Sequence, residues 1–222
     1  MAIGAAVPIP TFPPTILKFP DPRLKEVSST VKEFNEELVA CVDDLYDTLN
    51  VELGAGIAAP QIGRLIRVVL VKCSSFGEVS PDPYARDEDI LVLVNPIIEL
   101  SSDKTKWLES CLSVSGPPGE VSRSSSVNVR YQGVDGSHHE LSFGWPLAGA
   151  IQHECDHLDG VLYIDRMPIS ESAKIRRSVY KMARKMASLS KRSRKQNYLS
   201  PKTKSKKRPP KKFGKLKKKK KK

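Results

Sequence analysis

His153-Glu154-Cys155-Asp156-His157 is the segment whose residue types and spacing most directly allow chemistry. On a helix, residues four apart lie one above the other, so the imidazoles of His153 and His157 can reach one metal ion. Glu154 follows the first histidine and can reach a water on such an ion, where a carboxylate acts as general base. Catalytic metal sites usually combine three protein ligands with an open position, so a third ligand is needed. Downstream of His157 the chain offers Asp159, Asp165 and Glu171 but no histidine. Upstream lies Cys111, in Trp107-Leu108-Glu109-Ser110-Cys111-Leu112-Ser113. A thiolate is a stronger ligand than a carboxylate for a borderline-soft metal. Cysteine is also commonly a small core residue, so spacing alone leaves the third ligand open.

These residues need a helix and a scaffold of strands to hold them. Gly144, Trp145 and Pro146 open the motif-bearing helix, with Pro146 at the first helical position, and Gly160 closes it as a C′ residue. Phe34, Leu38, Cys41, Leu45 and Leu49 recur at spacings of three and four, which predicts a helix over 32–50. The β-branched run 65–73 predicts a buried strand, and residues 76–89 a polar loop. ILVLVNP and IIEL predict two strands broken at Pro96, followed by strands over 104–109, 126–132 and 138–143. The last two flank the turn signal GVDG. VLYIDRM reads as a short strand, and 170–189 as a final helix with Ile175, Val179, Met182, Met186 and Leu189 on one side. The expected fold class is α+β: mostly antiparallel strands packed around a central HExxH helix, then a C-terminal helix and a basic disordered tail. The expected organisation is a Pro-rich lead over 1–14, a catalytic domain over 15–190 and a Lys/Arg-rich tail over 191–222.

Three motifs resemble those of the peptide deformylases, in that family's order and across about 110 residues. GAGIAAPQ (54–61) matches GxGxAAxQ, ESCLS (109–113) matches EGCLS at four of five positions, and QHECDHLDG (152–160) matches QHExDHLxG. The segment 17–31 also resembles the family's N-terminal start. The resemblance implies a metal held by Cys111, His153 and His157, usually Fe(II), with Zn(II), Ni(II) or Co(II) as substitutes, and Glu154 as the acid–base. It implies oxyanion donors at the Gln61 side chain and the Leu112 backbone N–H. It implies substrate contacts at Gly54, Ala55, Gly56, Ile57, Glu109, Ser110, Gly149 and Ala150. The implied reaction removes the formyl group from the N-terminal formyl-methionine of nascent chains. Gly54 and Gly56 lack a Cβ and so allow unusual dihedrals and close approach of substrate. Ser110 stands where the family usually has glycine. Gly149 and Ala150 are small where bulkier residues are common, which predicts a roomy methionine pocket.

Charge divides the chain. Residues 172–222 hold 24 of the 37 Lys and Arg and no acid, whereas the first 171 residues carry 13 basic and 25 acidic side chains. An acidic body with a basic tail points to a polyanion partner for the tail alone, here ribosomal RNA beside emerging nascent chains. The N-terminus, cut by four prolines and uncharged at its start, does not read as a signal peptide, and no apolar run is long enough to span a membrane. Cys41, Cys73, Cys111 and Cys155 show no paired spacing. A cytoplasmic monomer is expected. Two competing readings are a metalloprotease cutting internal bonds, which leaves GxGxAAxQ without a purpose, and an RNA-binding protein, to which the acidic body is the objection. Cys41, Cys73 and Cys155 are expected in the core, Asp156 in a structural ion pair, Trp107 and Trp145 in packing, and His138 and His139 outside any metal site.

Overall fold

The run Val68-Val69-Leu70-Val71 is apolar without alternation because the strand is buried on both faces. Val69 and Val71 face one core cluster, and Val68 and Leu70 face another. The computed structural model describes residues 13–80 and 89–199, so the lead before residue 13 and the tail beyond 199 lie outside the described residues. The strand is β2 (Val68–Lys72) of a five-stranded antiparallel sheet ordered β1-β2-β3-β6-β7, with β1 at Gly56–Ala58, β3 at Ile90–Leu100, β6 at Val127–Gln132 and β7 at His138–Phe143. Strands β4 (Lys104–Cys111) and β5 (Val114–Ser124) form a separate two-stranded antiparallel ribbon.

Each face of the larger sheet takes one helix. Helix α1 (Glu36–Glu52) buries Leu38, Cys41, Val42, Leu45 and Leu49 against Val68, Leu70, Val92 and Val94. Asn35 caps it, accepting the N–H groups of Glu37 and Leu38, so Phe34 precedes the helix and packs from outside it. Helix α2 (Leu147–Leu158) packs Leu147, Ile151, Cys155 and Leu158 on Val69, Val71, Leu91 and Val129. Every residue of α2 is buried, because its polar side is covered by the β4–β5 ribbon and the site described below. The chain divides into two compact units at Ala183/Arg184. In the first, α3 (Ile169–Leu199) begins by packing Ile175 and Val179 against Val114, Val121 and Tyr163; in the second, the described residues continue as helix.

Several expectations change. The two strands predicted around Pro96 are one strand, β3, whose register with β6 shifts between Val94 and Ile97. Asn95 takes a left-handed conformation there (φ 52°), and its side chain bonds both backbone groups of Val31. A proline at such a bulge bends a strand rather than ending it. VLYIDRM is a 3-10 turn, Tyr163–Asp165, stitched by Asp165 accepting the Leu162 N–H. Pro146 precedes α2 as its N-cap. Helix α3 runs to Leu199, past Leu189 and into the segment expected to be disordered, because 190–199 contains no Gly or Pro and is rich in Lys and Arg, which favour helix.

Two strands escaped the sequence reading. One, β1, is only three residues long, within a Gly-rich stretch. The other, β5, contains Pro117 and Pro118, residues disfavoured inside a sheet, where residues 115–118 bulge opposite Ser110. Gly160 does close α2, at φ 67°, with the Lys25 carbonyl packed where a Cβ would lie.

Candidate metal centre

Along β4, side chains alternate, so Trp107, Glu109 and Cys111 point the same way, toward α2. On α2 the matching residues are Gly149, Glu109's partner His153, and His157, four apart each time. A ring atom of Trp107 lies 3.6 Å from a Cβ built on Gly149, His153 Nδ1 lies 2.7 Å from Glu109 Oε2, and His157 Nε2 lies 3.2 Å from Cys111 Sγ. Ligand atoms of Cys111, His153 and His157 all fall within 4.8 Å of one another.

The donors are prepared for an ion. With Nδ1 engaged by Glu109, His153 presents Nε2. Burial opposes ionisation of Cys111, but the imidazoles of His157 and His153 hold its thiol well below the usual range, which favours the thiolate, the ligating form. The backbone N–H of Ser113 also points at the sulfur, 3.4 Å away. One thiolate and two imidazoles are a donor set suited to Zn(II) or Fe(II) rather than to Mg(II) or Ca(II).

A cavity of about 400 Å³ opens beside these groups, lined among others by Gly54, Ala55, Gly56, Gln61, Ser110, Leu112, Ala150 and Glu154. Glu154 is buried, and its Oε2 has no hydrogen-bond partner among the described residues. Burial pushes its carboxyl up to about 7, assisted by Cys111 and Glu109 and opposed by the two histidines. The Gln61 amide has a determined orientation. The Ala58 N–H can only donate, so Oε1 accepts it at 2.7 Å and Nε2 turns toward Ser113 Oγ and Cys111 Sγ, 3.2 and 3.7 Å away. The spacing from Ala58 to Gln61 is one 3-10 turn, Ala59–Ile62.

Residues 13–174 match the family described as polypeptide deformylase. Peptide deformylase 1 of Prochlorococcus marinus is 44% identical over 163 residues, covering 71% of this chain and 82% of its own. The peptide deformylase of Acidobacterium capsulatum is 40% identical over 169 residues, covering 76% and 95%. Among solved structures, the peptide deformylase of Legionella pneumophila superposes with a TM-score of 0.68 at 32% identity, over 78% of this chain and 97% of that one. The chain belongs to the polypeptide deformylase family. It is a metal-dependent hydrolase that removes the formyl group from the N-terminal formyl-methionine of newly made polypeptides and releases formate. Among the described residues no helix is long and apolar enough to cross a membrane.

Set in the deformylase fold, most sequence-predicted site residues line the cavity, Glu109 among them, whereas Ile57, Gly149 and His157 are not among its lining residues. Ile57 is fully buried against α1. Gly149 lies beneath Trp145, whose ring comes within 2.8 Å of where a Cβ would sit, so the space beside it is taken by indole. Glu109 lines the cavity, with each of its oxygens already engaged twice. Its Oε1 takes Arg123 Nε and Trp107 Nε1, and its Oε2 takes Arg123 Nη2 and His153. Nor do Gly54 and Gly56 adopt positive φ. Their need is space: a Cβ on Gly56 would lie 2.5 Å from Glu154 Oε1, and one on Gly54 would lie 2.8 Å from Leu112 Cδ1.

Sequence reading missed the buried network behind the donors. Arg123, its side chain 3% exposed, joins Glu109 to Asp156, which Arg166 also grips. Burial opposes ionisation of Glu109, but Arg123 and His153 hold its carboxyl down to about 2. The one available signal was that Glu109 lies two residues before Cys111, on the same strand face. Such partners orient ligating histidines, and their loss weakens metal binding about 10–100-fold. Glu109→Gln, which keeps the shape and removes the charge, is expected to lower metal affinity by that factor, measured by chelator competition; unchanged affinity would show that His153 needs no such partner.

Proposed function

We propose that Cys111, His153 and His157 hold one divalent ion, and that Glu154 moves the protons of deformylation. The observation that carries this is buried Glu154, whose Oε2 has no partner among the described residues, in the cavity beside three donor atoms within 4.8 Å of one another. Fe(II) is the ion the family resemblance implies, with Zn(II), Ni(II) or Co(II) as substitutes. A bound ion there supplies Lewis-acid polarisation and a water able to lose its proton at neutral pH.

The chain's own residues do the rest. An extended formyl peptide lies along Gly54–Gly56, beside β1, the edge strand of the sheet among the described residues, where backbone groups can pair with it. Glu154 takes a proton from the attacking water as oxygen bonds to the formyl carbon. A carboxyl titrating near neutrality suits both halves of this exchange. Gln61 Nε2 and the Leu112 N–H donate to the oxygen that gains charge. Glu154 then returns its proton to the departing nitrogen, the C–N bond breaks, and formate and a free amine leave. Ser110 and Ala150 line the walls.

Formate release from a formyl-Met peptide by Fe(II)-loaded protein, prepared anaerobically, tests this. Glu154→Gln is expected to abolish turnover while retaining the metal, and Gln61→Ala to lower kcat about 10²–10³-fold; full activity in Glu154→Gln would remove Glu154 from the mechanism.

The basic C-terminus fits the same substrate. Residues 191–222 carry 18 Lys and Arg and no acid, enough for strong, salt-sensitive binding to RNA phosphates. On this reading the tail holds the enzyme on ribosomal RNA, in the compartment where chains are made. Deleting 191–222 is expected to abolish co-sedimentation with ribosomes at low salt and to leave turnover of a free formyl peptide intact. Co-sedimentation that survives the deletion would contradict the assignment.

A further inference from the structure

The segment Leu17-Lys18-Phe19 is bonded to both stretches of chain that carry Gln61 and Cys111. The Leu17 N–H donates to the Gln61 carbonyl and the Phe19 N–H to the Ser113 carbonyl, each at 2.7 Å. Between them Lys18 donates from Nζ to the Leu112 carbonyl, also at 2.7 Å. That carbonyl and the Ser113 N–H belong to one peptide group, and the N–H points at Cys111 Sγ, 3.4 Å away. Ammonium, peptide and sulfur thus form a chain of two hydrogen bonds. Lys18 is exposed and is not among the residues that line the cavity. Its charge therefore acts on the site from behind, through the peptide it grips.

We infer that Lys18 is a positioning residue for deformylation, moderating the Cys111 sulfur through the Leu112–Ser113 peptide. This rests on Cys111 being a ligand of the ion. A cation on the carbonyl polarises the peptide and strengthens its N–H as a donor, because bonds in a chain reinforce one another. The strengthened N–H draws electron density from the sulfur it faces. Partners behind a ligand tune a metal centre in this way, by setting how much charge the ligand gives. A sulfur that gives less leaves a bound ion better able to acidify water at neutral pH. The backbone bonds of Leu17 and Phe19 do not involve the lysine side chain. Replacing Lys18 therefore removes the charge and leaves the two flanking bonds in place.

The test compares the full chain with Lys18→Met, which keeps the length of the stem and loses the ammonium, and with Lys18→Arg, which keeps charge and donor. One readout is optical: the sulfur-to-metal charge-transfer band of the Co(II)-loaded protein. In Lys18→Met the sulfur is more electron-rich, so the band is expected at lower energy, with Co(II) affinity in chelator competition not reduced. The other readout is formate release from a formyl-Met peptide by the Fe(II)-loaded protein. Here kcat is expected to fall about twofold to tenfold, the scale of one hydrogen bond, with KM little changed. Lys18→Arg is expected to restore both the band and kcat. Thermal melts establish that the variants fold, and if Lys18→Met does not, Lys18→Gln takes its place. A band that stays in position or moves to higher energy, or an unchanged kcat, would overturn the inference. Weaker Co(II) binding with an unmoved band would reduce Lys18 to a strap for the loop and overturn it as well. The absence of any such band in wild type would instead remove Cys111 from the ligands, and with it the reading on which the inference rests.

Discussion

The site depends on a match of lengths between a strand and a helix. Two residues of strand advance about 6.6 Å and four residues of helix about 6 Å. Three side chains of β4 can therefore face three of α2 in step: Trp107 over Gly149, Glu109 on His153, and Cys111 beside His157. Trp107 bounds the cavity, the second pair fixes the ring of His153, and the third brings the Cys111 sulfur to an imidazole. A slip of one residue in β4 would turn all three of its side chains away together. What holds the register is Arg123, reaching from β5 to Glu109 on one side and to Asp156 of α2 on the other.

That clamp is made of buried charge, which is an expensive material. Removing one partner of such a group commonly costs about 3–5 kcal/mol, although the intact group adds little stability over a well-packed apolar one. Its value here is positional. Glu109 and Asp156 need the guanidinium in a fixed place, and the planar fork satisfies both carboxylates only when β5 and α2 stand in one arrangement. Burial, which sets the difficulty, also serves the chemistry. The same dry surroundings lift the Glu154 carboxyl toward neutrality, whereas at Cys111 burial opposes ionisation and the two imidazoles favour it. Gly56 completes the arrangement, since any side chain there would collide with Glu154.

What could be read from the sequence follows how local each cause is. The HExxH helix, its stop at Gly160 and the hairpin around GVDG depend on residues close in the chain, and the structure has all three. Cys155, Cys41 and Cys73 are buried as their spacing suggests, and Asp156 is an ion-pair residue. The Glu109–Arg123–Asp156 connections join residues 14 and 33 positions apart and leave no periodic trace. The Pro-Pro of β5 hides a strand from the sequence, because the prolines sit in a bulge that only the pairing with β4 reveals. Gly149 shows the same limit from the other side. A small residue can mean empty space or a close neighbour, and only the position of Trp145 decides between them.

The central claim is that β4 delivers a sulfur ligand to the two histidines of α2. X-ray absorption at the edge of the metal bound to the full chain addresses it without reference to turnover. One sulfur and two imidazole nitrogens in the first shell, with the sulfur lost in Cys111→Asp, is the result this account predicts. A first shell of nitrogen and oxygen alone would place Cys111 outside the site, and with it the register of strand and helix on which the assignment stands.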